Sequence, residues 1–590
     1  MCGIAGEISF DGSYPSQNNV ERMLRDIAPR GPDGQGLYAQ DNICFGHRRL
    51  KIIDLSNHSA QPMIDSNLGL VIVFNGCIYN YVELRKELQK KGYNFFSSGD
   101  TEVILKAYHA WGEACVEKFN GMFAFAIWER DSKKIFIARD RLGIKPFYYQ
   151  DLGNTFRFSS FMPALLKIPG THDDIDPAAM NHFLSFRSIV GDKTLFKSIK
   201  KLPPATTLTI EPDGKKTQKT YWRLQYKPSG DDLKRTEKEW IDLVEEQMRK
   251  AVKRRLVADV PVGVLLSGGV DSSLIVGLLS EEGQKDISTF SIGFESMADQ
   301  EGNEFEYSDL IAEHYKTDHH KIFANYDMLK DNLGDCVSAM SEPMISHDVI
   351  GFYLLSQEVS KHVKVVQSGQ GADEIFGGYH WFPPMLDVSP QEAPQAYAKA
   401  YFNLDHNAYK DVVHEDYSRE DYALDYITEY YANSPAVSAI DKTLDIETSL
   451  MMVDDPVKRV DNMTMASGLE ARVPFLDHEL AELAVRIPAK FKIAQDGKHV
   501  LKEMARRVVP HEVIDRPKGY FPVPGLRTMQ GEYLDLAKDI FSQDSARKRG
   551  IFKQSYINDL LDRPEDHVFK FGSKLWHVTV LEYWLQQQGL

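Results

Sequence analysis

The sequence predicts a two-domain protein in which an α+β unit built on antiparallel sheets precedes a parallel α/β unit. Three observations predict it. A chain of 590 residues exceeds what one hydrophobic core usually encloses, so at least two domains are expected. Through Tyr149, short β-rich runs alternate with turns. Beyond Leu202-Pro203-Pro204 and the polar turn Pro212-Asp213-Gly214, the pattern becomes strand, glycine-rich loop, helix.

In the first unit the runs CGIAGEIS, ICFGHRRLKII, LGLVIVFNG, MFAFAIW and KIFIARD read as strands. Residues 81–91, of mixed charge, and the stretch after Thr101 read as covering helices. The second unit opens with VPVGVLL, SGGVDSS and LIVGLLSEE, and the pattern returns at VKVVQ, SGQGADE and IF, with TFSIGF a strand between them. Such a parallel sheet carries its sites at the carboxyl ends of its strands. The boundary is expected near residue 210, giving units 1–210 and 211–590. Residues 381–433, rich in aromatics and acids, read as helices inserted in the second unit and packed outside its sheet.

Composition narrows the function. Hydrophobic residues make up 43% and charged residues 26%, as in an ordinary soluble protein. A net charge of -16 argues against non-specific attraction to nucleic acid phosphates. The five cysteines form no C-x-x-C pair, so neither structural disulfides nor zinc sites are indicated. The start MCGIAGEISF lacks a secretory signal and no segment is apolar enough to cross a bilayer, so the expected compartment is the cytoplasm.

Cys2 follows the initiator Met, and a small second residue permits Met removal. The thiol would then lie beside its own amine, whose ordinary pKa of about 7.7–8.0 suits a base or proton shuttle. Downstream stand RGPDG (30–34), GHRRL (46–50), FNGCIYN (74–80) and SGDTE (98–102). Singly each has a plainer reading: Arg49 as a surface ion pair, Asp100 as a cap for the following helix, Asn75-Gly76 as a hairpin turn. In this order behind Cys2 they resemble class II glutamine amidotransferases. The resemblance implies a glutamine site of Arg49, Leu50, Ile52, Ile53, Asn75, Gly76, Cys77 and Asp100. Arg49 would take the substrate α-carboxylate and Asp100 its ammonium, while the Asn75 amide and the Gly76 N–H would meet the developing oxyanion. Cys77 departs from the glutamate of many asparagine synthetases.

SGGVDSS (267–273) follows an apolar strand and opens a helix, so its backbone N–H groups can cradle phosphate oxygens. No G-x-x-x-x-G-K-[ST] occurs, which excludes a Walker A loop. It resembles the ATP pyrophosphatase signature, whose enzymes cleave between the α and β phosphates. The resemblance implies nucleotide contacts at Leu265, Ser267, Gly268, Gly269, Asp271, Ser272, Ser273, Ile292, Ser368 and Gly369. Asp271 and Asp373, at equivalent strand ends, suit Mg²⁺ on the pyrophosphate. Lys498 in GKHVLK matches a lysine that stabilises charge on the breaking phosphate, and VKRVDNMTMASGLEARVPFLD (457–477) is similar to the most recognisable stretch of asparagine synthetases.

The resemblance to glutamine-hydrolysing asparagine synthetases thus runs from Cys2 to Lys498. It implies an N-terminal nucleophile hydrolase αββα sandwich, an adenine nucleotide α hydrolase-like domain, and an internal tunnel for ammonia. It also implies small-molecule partners (glutamine, ATP and an acceptor carboxylate), no nucleic acid, no membrane, and leaves a homodimer open. SGQGADE puts Gln370 where asparagine synthetases carry a catalytic glutamate. With GYHWFPPM (378–385), this is similar to N-acetylglutaminylglutamine amide synthases, which make an osmolyte. That dipeptide is the expected acceptor, with aspartate the alternative. A non-catalytic regulatory homologue is disfavoured by intact Cys2, Arg49, Asp271 and Asp373.

Overall fold

The computed structural model describes residues 2–295, 302–494, 496–516, 523–569 and 572–590. Strand alternation in the first domain sorts side chains onto two faces. One six-stranded sheet runs in the order Lys200–Lys201, Tyr148–Asp151, Thr155–Ser159, Gly3–Ser9, Ile43–Arg49, Gly34–Gln40. The other runs Lys216–Thr220, Thr206–Ile210, Ile135–Arg139, Gly121–Glu129, Leu70–Ile78, Met63–Asp65. Every pairing is antiparallel. Ile4, Ile8 and Phe45 of the first sheet meet Val71, Val73, Ala126 and Ile137 of the second in one buried layer. The opposite faces take helices. Val20, Met23 and Leu24 of Gln17–Asp26 cover Ala5 and Cys44. Helices Tyr81–Lys90 and Thr101–Trp111 cover Ile72, Phe74 and Phe125. The result is the expected αββα sandwich.

Pro212-Asp213-Gly214 lies in the turn of a hairpin joining Thr206–Ile210 to Lys216–Thr220, both within the second sheet. The first domain therefore continues past residue 210. Its polar turn resembles a linker in composition, but the backbone ladder around it is closed.

The second domain holds a five-stranded parallel sheet in the order Asp318–Ala324, Ser288–Phe294, Val262–Leu265, Val365–Gln367, Glu470–Arg472. Numbered along the chain this order is 3-2-1-4-5, so the chain reverses direction across the sheet between Val262–Leu265 and Val365–Gln367. A crevice opens at such a switch point. Loops 267–273 and 368–374 leave these two strands.

The inserted helices also reach the first domain, a contact that the expected position outside the sheet does not include. Asn181 Oδ1 of helix Pro177–Phe186 accepts from the Ala423 N–H at 2.6 Å, and the Ser185 carbonyl accepts from the Asn403 N–H at 2.8 Å. Phe186 and Phe402 meet edge to face at 5.2 Å. The insert is a bracket between domains, because its aromatic face finds apolar partners on the first domain's helix. All five cysteines are buried and free. Among the described residues no helix is long and apolar enough to cross a membrane.

Candidate active sites

Leu70–Ile78 carries Asn75 and Gly76 inside the strand, so they form no hairpin turn. Gly76 has φ +156°, and a Cβ there would meet the Met122 carbonyl oxygen at 2.1 Å, so only glycine fits. The Cys2 N–H donates to Asn75 Oδ1 at 3.1 Å. That bond fixes which end of the amide faces away, and the buried Asn75 Nδ2 has no partner among the described residues. An unmade buried donor is costly and marks a place for an acceptor. Cys2 Sγ lies 4.0 Å from the Leu50 carbonyl oxygen, and burial pushes its thiol above the ordinary range.

Arg49 is buried, with Nη1 and Nη2 donating to the carbonyls of Ser56 and Asp54 at 2.8 and 2.5 Å, so it forms no surface ion pair. Asp54 folds that loop: its carboxylate accepts from the Ser59 hydroxyl and the Ser98 N–H, both at 2.8 Å. Asp100 precedes its helix without capping it. Its Oδ2 instead accepts from the Ile78 N–H at 3.0 Å, and burial pushes its carboxyl up to about 6. Cys2, Arg49, Leu50, Ile52, Ile53, Gly76, Cys77 and Asp100 line one cavity, with Asn75 behind its wall. Two further walls, Glu470 and Arg472, come from the second domain, which sequence reasoning missed although both stand in the quoted stretch 457–477.

At the switch point a cleft of about 260 Å³ collects the other residues. Leu265, Phe290, Ile292, Phe352 and Leu355 give it an apolar end suited to a purine. Ser267, Gly269, Asp271, Ser272, Ser368 and Gly369 line its middle. Gly268 makes the turn at φ +73°, and Ser273 is fully buried outside the lining. Lys498 Nζ bridges Asp271 Oδ2 at 2.8 Å and Asp373 Oδ1 at 3.1 Å. Burial alone would push this ammonium down, but the two carboxylates outweigh it and keep it protonated.

The cleft is also lined by Gln370, Glu374, Tyr379, Asp348, Pro456 and Arg459, most of them unread in the sequence. Gln370 accepts from the Ser368 hydroxyl, and the Tyr379 hydroxyl donates to Glu374 at 2.6 Å. The segment Val453–Val457 is wound as a π-helix around Pro456, which lacks the N–H of a regular turn. Across the domain junction, Asp461 takes Arg30 at 2.9 Å and Lys145 at 3.1 Å, all three buried.

Comparison with known proteins gives the same division. Residues 1–222 match the family model "Glutamine amidotransferase domain" and residues 243–586 match "Asparagine synthase". Asparagine synthetase (glutamine-hydrolyzing) 1 of Bacillus subtilis (strain 168) is 31% identical, over 99% of this chain and 96% of that protein. Asparagine synthetase (glutamine-hydrolyzing) 3 of the same organism is 31% identical, over 96% and 92%. Amidase chry2 of Gibberella zeae is 27% identical over 89% of each chain.

Proposed function

Because the chain belongs to the glutamine-hydrolysing asparagine synthetase family, and is a carbon–nitrogen ligase using glutamine as nitrogen donor, we propose that it amidates a dipeptide carboxylate through an acyl-adenylate. Glutamate, AMP and pyrophosphate are the other products. In the first cavity Arg49 holds the glutamine carboxylate and Asp100 its ammonium. A thiol whose pKa is raised needs a base, and the freed α-amine of Cys2 takes its proton as Sγ attacks the amide carbon. The oxyanion meets Asn75 Nδ2 and the Gly76 N–H, the proton passes to departing ammonia, and water hydrolyses the thioester.

In the cleft, an acceptor carboxylate oxygen attacks the α-phosphorus of ATP and pyrophosphate leaves; ammonia then attacks the acyl carbon and AMP leaves. Loop N–H groups from 267–273, at the start of helix Val270–Glu281, hold the phosphates, and Lys498 offsets their charge. Asp271 and Asp373 fit Mg²⁺, since both already converge on one cation, the Lys498 ammonium. Bound there, the ion would neutralise charge on the leaving pyrophosphate.

The observation that carries the acceptor reading is Gln370, an amide without useful basicity, in the lining of the cleft. A neutral group there offers no charge to pair with a free α-ammonium, which suits an acceptor whose amine is acylated, and N-acetylglutaminylglutamine presents one terminal carboxylate and no ammonium. Aspartate is the second reading, favoured by the names of the two Bacillus relatives. Steady-state kinetics with both acceptors decide between them. We expect a higher kcat/KM for the dipeptide, and an equal or higher value for aspartate overturns the assignment.

A further inference from the structure

One side of the glutamine cavity belongs to the synthetase domain. Glu470 and Arg472 stand on the edge strand Glu470–Arg472, are 1% and 0% exposed, and line the same cavity as Cys2, Arg49 and Asp100. A buried ion pair is tolerated only where its remaining donors are satisfied. Arg472 meets that condition: Nε donates to Glu470 Oε1 at 2.6 Å, and Nη1 donates to the carbonyls of Arg255 and Val257 at 2.8 Å each. Its Nη2 reaches Cys77 Sγ at 3.8 Å.

Cys77 lines the same cavity. Its thiol is pushed up by burial and stays neutral, so it gives a substrate ammonium nothing to pair with. Glu470 is the reverse case. Burial pushes its carboxyl up, but the positive charge at the chain's N-terminus, followed by Arg472 and Lys145, more than offsets this and holds it at about 2. With Glu470 counted, the cavity presents Arg49 and Arg472 against Asp100 and Glu470. This balanced set suits a zwitterionic amino acid.

Resting on the reading of this cavity as a glutamine site, we propose that Glu470 is its second acid, standing with Asp100 toward the α-ammonium. Arg472 positions it and ties the pocket to the ATP loops. The tie is short. The Ser368 N–H, first in loop 368–374, donates to the Arg472 carbonyl at 2.9 Å. The carbonyls that Arg472 clamps lie between helix Glu237–Arg254 and strand Val262–Leu265, which leads into the other phosphate loop. A displacement of the pair by glutamine is thereby felt at both loops.

The test uses the full chain, with Glu470→Gln compared with wild type on three nitrogen sources: glutamine, glutaramate (glutamine without its α-ammonium) and ammonium chloride. The ratio of glutamine-driven to ammonium-driven kcat/KM is expected to fall about tenfold, the scale of one lost charge-assisted hydrogen bond. The preference for glutamine over glutaramate should shrink by a similar factor. A purely structural role would lower all three activities together and keep that preference, and this result overturns the proposal. For the tie, wild-type glutamine KM is expected to shift on saturation with ATP, and Arg472→Lys to abolish the shift. A wild-type KM indifferent to ATP removes it.

Discussion

On the proposed reading, Asp100 sets the acid limit of the first reaction. Burial raises its carboxyl to about 6, and only the ionised form can hold the glutamine ammonium. The protonated fraction grows as pH falls through that value, so kcat/KM for glutamine hydrolysis should drop about tenfold per pH unit below it, because kcat/KM reports the free enzyme. A flat glutamate-release profile from pH 7 to 5 would remove Asp100 from ammonium binding. Cys2→Ala should abolish glutamine use and preserve ammonium-driven amidation, and intact mass of active enzyme should show Met1 absent. Equal loss with both nitrogen sources defeats the separation of the sites. Cys2, Arg49, Gly76 and Asp100, which the structure brings to one cavity, were legible because each stands in a short distinctive motif and the motifs follow one another in a recognisable order. The plainer reading of Asn75-Gly76 as a turn failed since composition does not reveal that φ +156° can lie inside a strand. Glu470 and Arg472 were quoted but not assigned, because Arg472 meets Cys77 across 395 positions, beyond any local pattern.

At the scale of elements, the strands were readable from alternation and apolar runs, and the two glycine-rich loops from the strand and helix around them. The partners of those elements were not. The same aromatic faces that mark the 381–433 helices as buried do not say that the first domain helps to bury them, and contacts such as those of Asn181 and Phe186 on the first domain's helix show it. The loops make a sharp prediction, since Asp271 and Asp373 leave different strands yet meet one ammonium. Asp271→Asn and Asp373→Asn should each cut acceptor-dependent pyrophosphate release by at least about a hundredfold while leaving glutamine hydrolysis in place. Near wild-type pyrophosphate release from either variant would remove that residue from the phosphate site.

At the scale of the whole molecule, the domains are joined by charges as well as by the helical bracket. Asp461 of the second domain lies between Arg30 and Lys145 of the first, and Arg30 Nε also donates to the Cys2 carbonyl at 3.4 Å. Burial pushes the Asp461 carboxyl up, but the two cations outweigh it and hold it below the ordinary carboxylate range. Glu470, at about 2, sits at the same junction. For both groups the folded pKa is the lower one. Their stabilisation is therefore fully present above the unfolded value of about 4 and is lost as pH falls through each folded value, which for Glu470 is about 2. Asp461→Asn would leave two buried cations facing a neutral amide, which typically costs about 3–5 kcal/mol. In urea titrations near neutral pH the variant should unfold at lower denaturant. Below about pH 4 its stability should fall less steeply than wild type, because the proton uptake at Asp461 has been removed. An unshifted urea midpoint would show that the cluster contributes nothing net. A lowered midpoint with an unchanged acid slope would place the loss in packing around Arg30 and Lys145 rather than in the charge of Asp461.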